Sequence, residues 1–73
     1  NMHMTNQENI TRLINKQFVY TTSNNGNLRM YQLRGVERST SEFAVCKLID
    51  KSHDSENRDK EVFRTLYFSR IKR

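Results

Sequence analysis

Residues 62–71 read Val-Phe-Arg-Thr-Leu-Tyr-Phe-Ser-Arg-Ile, a stretch that joins dense β-branched and aromatic residues to two arginines. Such residues favour extended structure because their side chains pack well on a pleated sheet. The stretch therefore predicts one continuous strand with Leu66 and Phe68 in the core. Arg64 and Arg70 share the parity of Leu66 and Phe68, so they reach solvent only where the strand twists or the sheet is open. We expect both arginines at the rim of the fold.

Three further strands are predicted upstream of this one. The Asn-Gly pair that ends at Gly26 marks a tight hairpin turn, because both residue types tolerate positive φ. The strand after this turn is long, and we expect it to bend or bulge at Gly35. Both faces of the third strand are partly apolar, as expected of a central strand in a curled sheet. The predicted strands are residues 18–22, 28–38 and 42–49, and the predicted turns are residues 23–27 and 39–41.

The N-terminal segment predicts a short amphipathic helix over residues 6–16. Thr5 and Glu8 fit the capping-box pattern, in which each side chain accepts a hydrogen bond from the backbone N–H of the other residue. Apolar residues from Ile10 to Ile14 then follow at helical spacing and form one stripe on a polar segment. A helix of this length is marginal alone, so the stripe is expected to dock on the sheet.

Residues 50–61 contain no aliphatic or aromatic side chain, and this composition predicts a mobile loop. The segment holds five of the eight acidic residues and three of the 13 basic ones, which gives it a net charge of −2. The rest of the chain carries +7, although the whole chain carries only +5. Positive charge is therefore concentrated on the predicted structured part, which favours a polyanionic partner.

The 73 residues suffice for one domain. We interpret residues 1–4 as an addition ahead of a native start at Met2 or Met4, and residues 5–73 as one small β-barrel domain. Cys46 is the one cysteine, so an internal disulfide is excluded, and this fits a reducing cytoplasm. No apolar run approaches the ~18 residues of a membrane span and no secretion leader is visible, so we expect a cytoplasmic protein without membrane contact.

These elements predict a mainly β fold with one N-terminal helix, namely a small SH3-like or Sm-like antiparallel β-barrel of four to five strands. Closure would remove the exposed sheet edges, and the apolar stripe of the helix would cover one open end. The alternative is an open four-stranded sheet with the helix packed on one face. The predicted core consists of Ile10, Leu13, Ile14, Phe18, Val45, Leu66, Phe68 and Ile71.

With the strands placed, the chain resembles the WYL-domain family, a set of Sm-like β-barrel modules found in bacterial transcription regulators and in proteins tied to phage defence. The similarity covers most of residues 10–71: a helix that leads into a strand ending in Tyr20, a turn at Gly26, and a basic second strand. The family's last strand reads roughly Arg-x-Phe-x-Leu-x-Arg-Ile, and residues 64–71 fit that spacing with Leu and Phe exchanged. The naming tripeptide Trp-Tyr-Leu is replaced by residues 43–45, Phe-Ala-Val.

The resemblance implies a regulatory binding module whose strands present basic residues to a nucleic acid or a nucleotide-like ligand. The matching positions are Tyr20, Arg29, Arg34, Arg64 and Arg70. Independently of the family, arginines on a sheet can contact phosphates through two parallel N–H bonds, and tyrosines beside them can stack on bases.

This residue chemistry adds Tyr67, together with Tyr31, to the candidate surface. The alternative interpretation is structural. The tyrosines would then sit at the margin of the core with solvated hydroxyls, and the arginines would pair with Glu37, Glu42 or the acidic loop.

No constellation of residues predicts an enzyme. Cys46 lies among apolar neighbours, which indicates a buried structural residue rather than a nucleophile. His53 with Asp54, Glu56 and Asp59 matches no metal-site spacing, and we interpret the group as part of a solvated loop. We therefore predict no catalytic residue, no metal and no cofactor.

A second function from a different class stays open. A lone small module without a DNA-reading domain is also typical of a phage or mobile-element protein that binds and modulates a host protein complex. A homo-oligomer is compatible with either function, since small barrels often associate by strand addition.

Overall fold

One sheet of five antiparallel strands and one short α-helix make up the described part of the chain. The computed structural model describes residues 5–22 and 26–72; residues 1–4 and most of the predicted turn at residues 23–27 lie outside the described residues. The predicted mainly β class with an N-terminal helix is confirmed. The elements are α1 (Asn6–Thr11), β1 (Gln17–Thr21), β2 (Leu28–Ser39), β3 (Phe43–Asp50), β4 (Glu61–Tyr67), a 3₁₀ turn (Phe68–Arg70) and β5 (Ile71–Lys72).

The strands follow the spatial order β4-β3-β2-β1-β5, so β4 and β5 form the two edges of the sheet. β4 pairs with β3, and β5 pairs with β1. No strand pairing joins β4 to β5 within residues 5–22 and 26–72. The hydrogen-bonded sheet is therefore open between these two edges.

The last stretch is not one strand, and that prediction was wrong. β4 ends at Tyr67, the 3₁₀ turn follows, and Ile71 then pairs with Tyr20 on β1. The turn takes the chain from one edge of the sheet to the opposite edge within three residues. The predicted strand is thus interrupted because Ile71 pairs with β1, which is distant in the sequence. The composition of residues 62–71 alone does not predict this pairing.

One face of the sheet forms the core, because inward-facing residues alternate along each strand. Cys46 on β3 is fully buried, as predicted, and burial raises the pKa of its thiol to about 11. Val45 and Ile14 were wrongly predicted in the core, because Val45 lies on the other face and is only partly buried, and Ile14 is 37% exposed. Leu13 and Phe68 pack against the core from its margin. The buried apolar residues are Ile10, Phe18, Tyr20, Tyr31, Leu33, Ala44, Cys46, Leu48, Leu66 and Ile71.

The helix begins as predicted and ends five residues early. In the capping box, the backbone N–H of Glu8 donates to Thr5 Oγ1 and that of Thr5 donates to Glu8 Oε1, both at 3.1 Å. The bond from the Thr5 backbone lowers the pKa of Glu8. Asn15 has a φ of 69° and donates its N–H to the Leu33 carbonyl at 2.6 Å. After Thr11 the chain continues in turns with bonds between residues three apart, and it pairs with Leu33 of β2 from Ile14 to Lys16. Across the described residues, no helix is both long and apolar enough to cross a membrane.

β2 is long and bulged, as predicted. Its register against β3 shifts between Leu33 and Gly35, and again between Val36 and Arg38. One extra residue, Arg34, lies in the first shift, directly beside the predicted position of the bend. Bulges increase the local twist of a strand, which lets one strand take part in two differently oriented parts of a sheet.

Residues 51–60 form a loop of turns, as the composition predicts, and hydrogen bonds anchor the start of this loop to the sheet. Asp50 ends β3 with its side chain buried, and its carboxylate accepts bonds from the Ser52 N–H at 2.9 Å and from Ser55 Oγ at 2.7 Å. Ser52 Oγ in turn accepts the Met30 N–H at 2.8 Å. Burial favours the neutral carboxyl group, but these bonds and Arg29 outweigh it and lower the pKa of Asp50. The acidic segment is thereby attached to β2.

Candidate anion-binding pocket beside the open edge of β4

Tyr20 connects the two ends of the open sheet. Its ring is buried in the core, 6.0 Å from the ring of Tyr31, and its hydroxyl accepts the backbone N–H of Tyr67 at 3.0 Å. Tyr20 lies on β1 and Tyr67 ends β4, so one side chain links strands that do not pair. This contact brings the free edge of β4 close to β1.

A pocket of about 360 Å³ lies where these two strands approach each other. We call it the seam pocket. β1 and β4 supply its walls, and the 3₁₀ turn closes one end. Its lining consists of Tyr20, Thr22, Phe63, Arg64, Thr65, Tyr67 and Arg70.

Arg64 projects from the inward-facing side of β4 into the seam pocket. It is paired across the strands with the buried Cys46 and alternates with the buried Leu66, yet its own side chain is exposed. Desolvation raises the pKa of Tyr31, and the positive charge of Arg64 acts on that pKa in the opposite direction. No carboxylate of the described residues forms an ion pair with Arg64. An arginine on the core side of a strand reaches solvent here because the sheet is open.

Arg70 approaches the same pocket from the 3₁₀ turn. Its Nη1 donates to the Thr22 carbonyl at 3.2 Å, and its guanidinium lies 5.2 Å from the centre of the Tyr67 ring. These two contacts use only part of its donor capacity, since a guanidinium carries five N–H groups. The remaining donors are available to a bound group.

The seam pocket is cationic because its lining contains two arginines and no acidic residue. The ion pairs of the described chain lie elsewhere and join Arg29 to Asp50 and Asp54, Lys47 to Glu61, and Lys51 to Asp59. Guanidinium groups bind phosphate and carboxylate through paired N–H bonds, and hydroxyls of Tyr and Thr can add further donors. The pocket can therefore bind an anion of this kind.

The sequence-predicted site residues divide into two groups. Tyr20, Arg64, Tyr67 and Arg70 meet in the seam pocket. Arg29 lies outside it, with Nη1 2.9 Å from Asp54 and Nη2 3.9 Å from Asp50, so its charge is compensated.

Arg34 is exposed in the first bulge of β2 and is not part of the seam pocket either. Three lining residues were missed by sequence reasoning: Thr22, Phe63 and Thr65. Alternation along residues 62–71 places Phe63 and Thr65 on the same side of the strand as Tyr67. The sequence does not show that this side borders a pocket, because that depends on β4 being an open edge of the sheet.

No group of three or more His, Cys, Asp or Glu side chains suited to a metal ion occurs in the described ranges. His53 is exposed in the segment after β3. Comparison of the chain with known proteins matched no family model, no curated protein and no solved structure. The similarity to the WYL-domain family thus stays a prediction that rests on the residues quoted above.

Replacing Tyr20 by Phe should lower the free energy of unfolding by about 0.5–1.5 kcal/mol, because the Tyr67 N–H loses its acceptor. Urea unfolding followed by circular dichroism measures this change, and the Tyr67 amide should exchange faster with solvent. Tyr67→Phe is the matched control, since the Tyr67 hydroxyl makes no hydrogen bond with the residues that the structure describes. Equal losses in both variants would show that the link from β1 to β4 contributes nothing.

Proposed function

We propose that this protein is a non-enzymatic regulatory binding module that contacts nucleic acid or a nucleotide-like anionic ligand through the seam pocket. The observation that carries the proposal is the pair Arg64 and Arg70 in one pocket whose lining has no carboxylate. A phosphate group can accept hydrogen bonds from two guanidiniums and from hydroxyl groups that line one pocket. The concentration of positive charge outside residues 50–61 supports the same class of partner.

We further propose that the sheet curls into an SH3-like or Sm-like barrel with the seam pocket at its open side. The short 3₁₀ turn between the two edge strands and the bond from Tyr67 to Tyr20 both support this. Edge strands carry unpaired N–H and C=O groups, so strand addition between copies is compatible with the proposal. Light scattering with and without short oligonucleotides reports the assembly state.

Arg64→Ala is expected to weaken binding of tripolyphosphate and of a short oligonucleotide by about tenfold to 100-fold, as for loss of charge-assisted hydrogen bonds. Oligonucleotide affinity should fall steeply with salt in the parent protein, and the variant should lose about one unit of the log–log slope. Isothermal titration calorimetry at several salt concentrations measures both. Arg64 is exposed, so the variant should unfold at nearly the same temperature as the parent.

Arg34→Ala is the matched control for that experiment. It removes the same charge from an exposed position outside the seam pocket, so it should change affinity far less than Arg64→Ala. Equal effects of the two variants would mean that only net charge matters. Unchanged affinity in Arg64→Ala would overturn the proposed function.

The alternative is a phage or mobile-element protein that modulates a host protein complex. It predicts a complex from bacterial lysate that survives nuclease treatment and that does not depend on Arg64. If nuclease abolishes every interaction, the alternative fails and the anion-binding proposal stands.

A further inference from the structure

Three aromatic side chains lie on the outward-facing side of β3 and β4, which we call the aromatic face. Its members are Phe43, Phe63 and Tyr67. Phe63 is 61% exposed and Tyr67 is 41% exposed, although large apolar rings are normally buried. Phe43 and Tyr67 are cross-strand partners whose ring centres lie 5.9 Å apart in an edge-to-face arrangement.

Each ring of the aromatic face has a cation beside it. Lys47 Nζ lies 5.7 Å from the centre of the Phe63 ring, and the Arg70 guanidinium lies 5.2 Å from that of Tyr67. The Arg38 guanidinium lies 5.9 Å from the centre of the Phe43 ring. Contacts of this length fall within the range of cation–π attraction, which holds the cations close to the rings. The surface therefore alternates apolar rings with positive charge.

The charge of the aromatic face is only slightly compensated. Lys47 has a carboxylate contact, to Glu61 at 3.8 Å, and both groups are partly exposed. Arg38 and Arg70 form no ion pair with an acidic side chain in the described ranges. The same Arg70 that borders Tyr67 also lines the seam pocket, so the pocket and the aromatic face are continuous.

We infer that the aromatic face stacks the bases of a single-stranded nucleic acid whose phosphates occupy the seam pocket. This rests on the proposed function and narrows its ligand to a single strand. Rings interleaved with cations match a polymer that alternates flat bases with charged phosphates. Phe63 and Tyr67 lie four residues apart on β4, or about 13 Å along the strand, so they present two separate stacking positions.

Duplex nucleic acid fits this surface poorly. The base faces of a duplex are covered by their neighbours, and recognition there uses groove edges and backbone rather than ring faces. Exposed aromatic side chains gain contact with bases only where those bases are unstacked. A single strand therefore uses both the rings and the cations, whereas a duplex uses the cations alone.

Fluorescence anisotropy with the full chain tests the inference through four labelled or competing probes. These are a short oligothymidylate, the matching oligouridylate, an abasic deoxyribose-phosphate strand of equal length, and a duplex of equal length. The thymidylate should bind at least tenfold more tightly than the abasic strand and the duplex at the same salt concentration. Comparison with the uridylate shows whether the protein distinguishes DNA from RNA.

Phe63→Leu should lower the affinity ratio of thymidylate to abasic strand by about fivefold to 100-fold, because one stacking ring is lost while an apolar side chain remains. Leu28→Ala is the control, since Leu28 is 60% exposed at the start of β2 and borders neither the aromatic face nor the seam pocket. It should leave the ratio unchanged. Thermal unfolding checks that both variants are folded.

The outcomes separate this inference from the proposed function. Equal affinity for thymidylate and abasic strand, with weaker binding in Arg64→Ala, would overturn stacking and leave phosphate binding in place. Absence of binding to every probe and to tripolyphosphate would overturn both. A Phe63→Leu variant that loses a protein partner but keeps the affinity ratio of thymidylate to abasic strand would assign the aromatic face to protein binding instead.

Discussion

Leu66→Ala is expected to lower the free energy of unfolding by about 2–5 kcal/mol, the largest effect that we predict for a single substitution. Leu66 is 0% exposed, and its cross-strand partner on β3 is the fully buried Ala44. Truncation removes contacts and leaves a cavity that the rigid strands around it can only partly fill. For a domain of this size, with a total stability of about 4–11 kcal/mol, such a loss leaves a marginal fold.

Leu66→Ala is also expected to affect the seam pocket. Leu66 alternates with Arg64 on β4 and is the one fully buried residue of that edge strand. We therefore expect Leu66→Ala to raise amide exchange along β4 and to weaken tripolyphosphate binding, although Leu66 does not line the pocket. Urea unfolding and calorimetric titration measure the two effects.

Leu28→Ala is the matched control, because it makes the same chemical change at a side chain that is 60% exposed. Its cost should stay within about 0.5 kcal/mol. A Leu66→Ala variant within 1 kcal/mol of the parent would contradict the packing of β4 on the core.

Asp50→Ala should cost about 2–3 kcal/mol of unfolding free energy, which is the second large effect. The Ser52 N–H and the Ser55 hydroxyl lose their acceptor in a site where Asp50 itself is only 2% exposed. Buried donors without partners carry their full desolvation cost. The segment from residue 51 to residue 60 should then detach from β2 and become sensitive to proteases.

The carboxylate of Asp50 also makes the free energy of unfolding depend on pH. The pKa of Asp50 lies below its ordinary value of 3.8 in the folded protein, so the unfolded chain binds the proton more readily. The stabilisation is therefore complete above about pH 4 and is lost as the pH falls through the folded-state pKa. The difference in stability between the parent and Asp50→Asn should shrink as the pH is lowered from 7 towards 3.

Asp54→Asn is the control for both measurements. Asp54 bonds to Arg29 at 2.9 Å, but its side chain is 78% exposed, and surface pairs of this kind contribute little. Equal losses for Asp54→Asn and Asp50→Ala, or a constant difference between the parent and Asp50→Asn across this pH range, would contradict the anchoring role of Asp50.

The sequence predicted correctly those features of the fold that depend on residues close together in the chain. The capping box at Thr5 and Glu8, the bulge beside Gly35 and the alternation of β3 around Cys46 all follow from neighbouring residues. Gly26 has a φ of 78°, in the left-handed range that glycine tolerates best, as expected of the turn to which it was assigned.

The parts that failed depend on contacts between distant residues. The predicted helix is shorter because its last residues, Asn15 and Lys16, bond to Leu33, and the last strand is interrupted because Ile71 pairs with Tyr20. Spacing alone could not reveal either pairing. Residues 51–60 form the predicted loop, but the burial of Asp50 was not predicted, because it depends on serine donors that a composition count does not weigh.

The candidate site was also predicted in part. The parity of Arg64 and Arg70 with core residues already indicated that the sheet must be open or twisted near them. The structure places both arginines at an open edge, beside Tyr20 and Tyr67. The aromatic face was not predicted, since Phe43 and Phe63 come together with Lys47 only through the register of β3 and β4.

The most direct test of the central claim is a titration of the isotope-labelled protein with tripolyphosphate, followed by amide chemical shifts. This probe has phosphates and no base, so it tests phosphate binding without base stacking. The largest shifts should fall on the residues that line the seam pocket, and should saturate at one site; these residues are Tyr20, Thr22, Phe63, Arg64, Thr65, Tyr67 and Arg70. Shifts spread evenly over exposed basic residues such as Lys16, Arg34 and Arg58, or none at saturating probe, would contradict an anion-binding pocket.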